Sequence, residues 1–172
     1  MDMKHLYFVR HGLSVMNKKG IFSGRTETPL APEGLQQALA AGRGAKDLGI
    51  DCIVSSPMKR ALDTATIIAK EIGYPVDKII VSDLFMERAF GSLEGQTYQP
   101  NMAMDDVEGV ETAGSIVERA HAGVEYLQSL PATTILVVSH GAIGRALRHS
   151  LNPTVPFHES ERFSNAQVIK LV

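Results

Sequence analysis

The chain has 172 residues, the size of one domain over 1–172, and is long enough to bury a core without disulfides or metals. Hydrophobic residues make up 44%, charged residues 21% and the formal net charge is −2. No basic excess points to nucleic acid or an anionic membrane, so any anion site must be a local gathering of arginines.

The start, Met1-Asp2-Met3-Lys4, runs straight into a strand and lacks the basic stretch and apolar block of a signal peptide. No apolar run approaches the ~20 residues of a membrane span. Leu6-Tyr7-Phe8-Val9 reads as a first strand. The spacing over 32–48 predicts a helix with Leu35, Ala38, Leu39, Gly42 and Ala45 on one face, ended by Gly49. Gly42 and Gly44 each cost such a helix about 1 kcal/mol against Ala, which close packing on the sheet would explain. Cys52-Ile53-Val54 is a second strand, and its lone cysteine reads as a small core residue of a chain suited to a reducing, cytoplasmic setting. Ser56 is placed to cap the next helix with Pro57 in its first position, and Ala61, Ala65, Ile68 and Ile72 form its buried stripe up to Gly73. Ile79-Ile80-Val81 is a third strand, followed by irregular chain from about 83 to 110. Thr112 caps a long helix to about Leu130, with Ile116, Ala120, Val124 and Leu127 inward. Ile135-Leu136-Val137-Val138, a helix from Gly141 to Leu151 and a last strand at Val168-Ile169-Lys170-Leu171 complete the chain.

Near-continuous apolar strands alternating with helices predict a three-layer α/β sandwich, a mostly parallel sheet with helices on both faces. The segment 94–111 reads as a loop or short lid. An edge strand near Val168 allows a homodimer as well as a monomer.

Ligands of such sheets gather beyond the carboxyl ends of the strands. Strand 1 runs into Arg10-His11-Gly12, strand 2 into Ser55-Ser56-Pro57 with Arg60 in the following turn, and strand 4 into Ser139-His140-Gly141. Two guanidiniums facing two imidazoles disfavour a bound metal and favour a phosphate. A neutral imidazole is a nucleophile toward phosphorus, and a second one can donate to the developing oxyanion. Spacing and chemistry alone point to an anion site and leave catalysis open.

Six ordered motifs resemble the histidine phosphatase superfamily, the phosphoglycerate mutase-like clan, over nearly the whole chain. They are Arg10-His11-Gly12 with Asn17, Phe22-Ser23-Gly24 with Pro29-Leu30-Ala31-Pro32-Glu33-Gly34, Ser55 to Ala61 with Thr64-Ala65, Glu87 to Gly95, Gly109 to Thr112, and Ser139-His140-Gly141. The resemblance implies the phosphoglycerate mutase-like fold, a phosphohistidine on His11, and phosphoryl oxygens held by Arg10, Arg60 and His140. It implies Glu87 as acid and base, with Glu94 as a competitor, and a phosphate pocket lined by Asn17, Ser23, Gly24 and Gly141. It implies no cofactor and no metal.

The same resemblance leaves hydrolases and mutases in play, with a small phosphorylated metabolite as partner in either case. Bisphosphoglycerate-using mutases carry arginines in their lid and Asn after the second His-Gly. Here the segment between Gly95 and Gly109 holds no Lys or Arg and Ala142 follows His140-Gly141. Asp105, Asp106 and Glu108 are expected to repel a doubly anionic substrate. These departures favour hydrolysis. A third reading is a module that binds phosphorylated ligands without turnover, against which the intact His11, Arg60, Glu87 and His140 count. Ala31 stands where the family often has a capping Thr, and Leu13 makes the pocket mouth more apolar. His5, His121, His149 and His158 are expected on the surface, and Met86, Met102 and Met104 in loop packing.

Overall fold

The computed structural model describes residues 4–172; the Met1-Asp2-Met3 start of the chain lies outside the described residues. Its elements are β1 (His5–Arg10), α1 (Val15–Lys18), α2 (Pro32–Gly44), β2 (Cys52–Ser55), α3 (Lys59–Ile72), β3 (Ile80–Val81), α4 (Ala113–Ser129), β4 (Thr134–Ser139), α5 (Gly141–Leu151) and β5 (Val168–Lys170). The sheet runs β3-β2-β4-β1-β5. The first four strands are mutually parallel and β5 is antiparallel to β1.

Period-2 alternation sorts each central strand between two apolar layers. Leu6, Phe8, Cys52, Val54, Ile135 and Val137 face α4 and α5 with Ile116, Ala120, Ile143 and Leu147. Val9, Ile53, Leu136 and Val138 face the other way, against Ala41 of α2 and Ala65, Ile68 and Ala69 of α3. Every position of β2 and β4 is buried, which is why those segments read as unbroken apolar runs. Cys52 is one of these core residues. The expected three-layer α/β sandwich is the observed one. Among the described residues no helix is long and apolar enough to cross a membrane.

Three local expectations change. Helix α2 ends at Gly44 and turns its small residues Gly34, Ala38, Ala41 and Gly42 inward, while Leu35 is 43% exposed. The reason is its partner, α3, which comes so close that a Cβ on Gly42 would stand 2.6 Å from Glu71 Cβ and 3.2 Å from Ile68 Cα. Ser56 does not cap α3, whose N-cap is Met58 without a side-chain bond; Ser56 is drawn instead to His140. Close packing explains Gly42 but not Gly44, where an added Cβ meets nothing within 4 Å. Ala31, by contrast, is the N-cap of α2 and makes no side-chain bond, as expected. Thr112 caps α4 through the Ser115 N–H, also as expected.

The two glycines should therefore respond oppositely. Gly44→Ala should raise unfolding stability by up to about 1 kcal/mol through helix propensity, and Gly42→Ala should lower it by about 1–3 kcal/mol through overpacking. Urea unfolding midpoints at equal m-value check both, and equal responses would contradict the packing described.

Candidate active site

Sheet order brings distant segments of sequence onto one rim. Strand β4 lies between β1 and β2, with Arg10 opposite Ser139 and Ser55 opposite Val138. The ladder continues one residue further, His11 N–H donating to Ser139 O at 2.9 Å and Ser56 N–H to Val138 O at 3.0 Å. His11, His140 and the start of α3 with Arg60 thus come together. The two imidazoles lie edge to face, with ring centroids 5.1 Å apart.

The His11 loop is held on all sides. Gly12 N–H donates to Thr64 Oγ1, and Asn165 Nδ2 donates to His11 O. Gly12 and Gly34 meet backbone to backbone, with no room for a Cβ on either. His11 Nδ1 lies 2.7 Å from Gly12 O; since a carbonyl only accepts, the ring proton sits on Nδ1 and Nε2 keeps its lone pair. Burial, with Arg10 and Arg60 adding to it, holds the His11 pKa well below the usual histidine value. Burial, then Arg60, His11 and Arg10, do the same for His140. Both rings are neutral near pH 7.

Arg60 is 1% exposed. Its Nη atoms donate to Thr26 O and Gly24 O, leaving Nε buried without a partner. Arg10 donates from Nη1 to Phe163 O and also has a buried, unpartnered Nε. Ser23 Oγ and His140 Nδ1 are further buried polar atoms without a partner among the described residues. Such orphans are costly without a ligand, and four of them cluster around one rim.

Glu87, 8% exposed, spans two elements. Its Oε1 accepts from Arg88 N–H and Ile143 N–H, and its Oε2 from Ala142 N–H, so it sits at the N-terminus of α5. Its backbone is buttressed by Arg119, which donates to Leu84 O and Met86 O and grips Glu111 with both ends of its fork. Glu94 is engaged elsewhere, accepting from Thr26 Oγ1 and Phe90 N–H.

A cavity of about 290 Å³ opens on this rim. Arg10, His11, Asn17, Ser23, Gly24, Arg60, Glu87 and Gly141 are in its wall; Glu94 is not. His140 lies fully buried behind His11 and is not in the wall. Asn17 closes a capping box with Ser14 and also lines the cavity. Leu13, Phe22, Phe90 and Tyr98 supply an apolar side. A larger cavity of about 750 Å³ opens at the opposite end of the sheet, around Lys4, Leu127 and Thr133, away from all these groups.

Several residues differ from expectation. Asp105, Asp106 and Glu108 do not line the cavity. Asp105 is paired with Arg88 at 2.8 Å and accepts from Ala113 N–H, so its charge is neutralised within the loop and repels nothing at the site. Two arginines not foreseen as site residues, Arg145 and Arg162, stand in the cavity wall. Arg145 has a visible spacing, one helical turn after Gly141 on α5. Arg162, Asn165 and Arg119 carry no local signal in the sequence. His149 is half-buried, its Nδ1–H donating to Val155 O; Met102 and Met104 pack on Phe22, Leu93 and Val110. Among the described residues no group of three or more His, Cys, Asp or Glu is placed to hold a metal.

Comparison with known proteins fits this rim. A phosphatase of Bacillus subtilis strain 168, PhoE, itself uncharacterized, is 33% identical over 168 residues, covering 95% of this chain and 86% of that one. A putative phosphoserine phosphatase 2 of Hydrogenobacter thermophilus is 30% identical over 159 residues, 84% of this chain and 77% of that one. Relatives matched over shorter stretches are named 2,3-bisphosphoglycerate-dependent phosphoglycerate mutase. The solved structure of the open reading frame Rv3214 product from Mycobacterium tuberculosis superposes with a TM-score of 0.81 at 28% identity, over 96% of this chain and 89% of that one. The family model for the histidine phosphatase superfamily, branch 1, matches residues 6–172. With its ordered motifs folded onto one rim, the chain belongs to the histidine phosphatase superfamily.

Proposed function

We propose that the protein is a phosphatase that hydrolyses small phosphate monoesters through a phosphohistidine on His11. The observation that carries this reading is a buried, neutral imidazole whose Nε2 is unprotonated, beside a cavity walled by arginines. Nε2 attacks phosphorus, an N–P bond forms and the ester P–O bond breaks. Protonated Glu87 gives its proton to the leaving alcohol oxygen. The carboxylate left behind accepts from three backbone N–H groups, which hold it in place for the second step. That carboxylate then takes a proton from water as its oxygen attacks phosphorus and the N–P bond breaks, regenerating neutral His11.

Arg10 and Arg60 hold the phosphoryl oxygens through the Nε–H groups that now lack partners. Ser56 Oγ accepts from Met58 N–H and lies 2.8 Å from His140 Nε2. With the Ser56 hydroxyl donating a hydrogen bond to Nε2, the ring proton of His140 sits on Nδ1, which is then an N–H donor toward the developing charge. Asn17, Ser23 and the Gly24 and Gly141 backbone complete the phosphate's surroundings. Guanidiniums supply the positive charge, so no metal is required. A metabolite-sized cavity and the buried thiol of Cys52 fit work in the cytoplasm, as monomer or homodimer. Water rather than a second substrate oxygen takes the phosphoryl group, because Ala142 follows His140-Gly141 and the 95–109 segment offers no cation.

Hydrolysis of p-nitrophenyl phosphate should survive EDTA and fall about a thousandfold or more in His11→Ala. Equal rates in the two proteins would remove His11 as nucleophile, and mutase turnover outrunning hydrolysis would make the protein a phosphoglycerate mutase. Glu87→Gln should lose about 10²–10⁴-fold on glycerol 3-phosphate. Its loss on p-nitrophenyl phosphate should be smaller, since that leaving group departs without a proton; equal losses would deny Glu87 the acid role.

Protonation gives an independent check. The folded-state pKa of His11 and His140 lies below the unfolded one, so above about pH 6.5 neither state binds these protons and stability is independent of them. Below it the unfolded chain takes up protons first, and stability should fall as pH drops toward the folded-state values. Ring NMR titration should place the His11 midpoint below the ordinary histidine value, and a midpoint at or above it would contradict the neutral nucleophile.

A further inference from the structure

The bonds that hold Arg60 lead outward from the cavity. Its Nη1 donates to Thr26 O at 2.9 Å and its Nη2 to Gly24 O at 2.6 Å, and the plane these two bonds fix sets the direction of the unpartnered Nε. The aim of that donor is therefore decided by two carbonyls of one short loop. The loop lies in no helix or strand. Gly24 takes a φ of 52°, and Thr26 N–H closes a turn on Ser23 O.

Glu94 braces this loop from the far side. Its Oε1 accepts from Thr26 Oγ1 at 2.7 Å and its Oε2 from Phe90 N–H at 3.0 Å, so one carboxylate ties the loop to the segment 90–94. A Cβ on Gly24 would stand 2.6 Å from Glu94 Oε2, which puts the carboxylate directly against the Gly24 backbone. Gly95 N–H donates to Phe22 O and Phe22 N–H to Gln96 O, fastening the root of the loop to the same stretch of chain. Burial lowers the Arg60 pKa, and the carboxylates of Glu87, Glu27 and Glu94 oppose that. Glu94 is not in the cavity wall, so whatever it does for the site passes through another residue.

We propose that Glu94 is a positioning residue for Arg60: through Thr26 and Gly24 it holds the two carbonyls that aim Arg60 Nε at the phosphoryl group. This rests on the phosphatase reading for what Arg60 binds, and not for how Arg60 is held. An ionised carboxylate suits the place because it only accepts. A hydroxyl and a backbone N–H both point at it, and both bonds are charge-assisted. Gln at this position would accept from one donor and turn its own NH2 group toward the other.

Hydrogen exchange of the Arg60 Nε–H, followed by NMR without ligand, tests the holding by itself. The Arg10 Nε–H is the internal reference, since it is also buried and unpartnered but belongs to a guanidinium fastened to Phe163 O. Glu94→Gln and Thr26→Val, the second at an exposed position, should each speed exchange at Arg60 by about tenfold, the order of one charge-assisted bond. Arg10 should not change, and Thr26→Ser, which keeps the hydroxyl, should retain the slow rate. Unchanged exchange at Arg60, or an equal rise at Arg10, would overturn the proposal.

Kinetics give the second readout. Phosphoryl oxygens are the same in every monoester, so both variants should lower kcat/KM on p-nitrophenyl phosphate and glycerol 3-phosphate by one common factor, about tenfold. A distinctly larger loss on glycerol 3-phosphate in Glu94→Gln would make Glu94 a proton donor and overturn the positioning role. Faster exchange confined to Arg60 in a protein that hydrolyses neither ester would discard the phosphatase and keep the positioning. Hydrolysis with rate and exchange untouched by either variant would do the reverse.

Discussion

The position of β4 between β1 and β2 is the constraint from which the site follows. A parallel ladder fixes register residue by residue, so once Arg10 stands opposite Ser139 and Ser55 opposite Val138, the next residues have no freedom of address. His11 and His140 must leave the sheet side by side, and α3 must start beside them. Burial on both faces keeps that register, because a slip by one residue would turn Phe8 and Val137 from one apolar layer into the other. The close approach of Gly12 to Gly34 then presses the His11 loop onto α2.

Electrostatics at this rim run against the usual economy of folding. Arg60 is almost completely buried, Arg10 carries a buried orphan nitrogen, and the imidazoles beside them are kept neutral by that burial. Removing guanidiniums from water costs several kcal/mol each unless counter-charge or hydrogen bonds return it. Carbonyls of Gly24, Thr26 and Phe163 return part. The proposed phosphoryl group would supply the missing acceptors at the Arg10 and Arg60 Nε atoms. The second ring of charge, where Arg119 grips Glu111 and Arg88 grips Asp105, is internally balanced and serves to hold the Glu87 segment in place.

Much of this was legible in the sequence. Apolar runs mark the strands, Thr112 and the stripe from Ile116 to Leu127 mark α4, the strand ends single out His11, Arg60 and His140, and Glu87 comes from the family resemblance alone. What escaped has physical reasons. The inward face of α2 is made of Gly and Ala, so hydrophobicity pointed to Leu35 when close approach to α3 decided otherwise. Ser56 has the chemistry of a cap, and local sequence does not show that an imidazole from another strand takes it. Sequence alone shows the acidic residues of the 95–109 segment as free charges, whereas in the fold Asp105 is paired with Arg88. Arg162 and Asn165 reach the site only through the antiparallel return of the chain beside β1, a tertiary event without a local pattern.

That return has a consequence for how the protein comes into being. Asn165 donates to His11 O and Ala166 N–H to Arg10 O, so the His11 loop is completed by residues more than 150 positions later. Such contacts carry a large loop-closure cost and form late. During synthesis the sheet's partners β1, β2 and β3 emerge first, yet β1 has neither neighbour until β4 and β5 have left the ribosome. A nascent chain therefore exposes an unpaired, apolar β1 for most of its elongation, and the surroundings of His11 are completed only when the whole domain has closed around it.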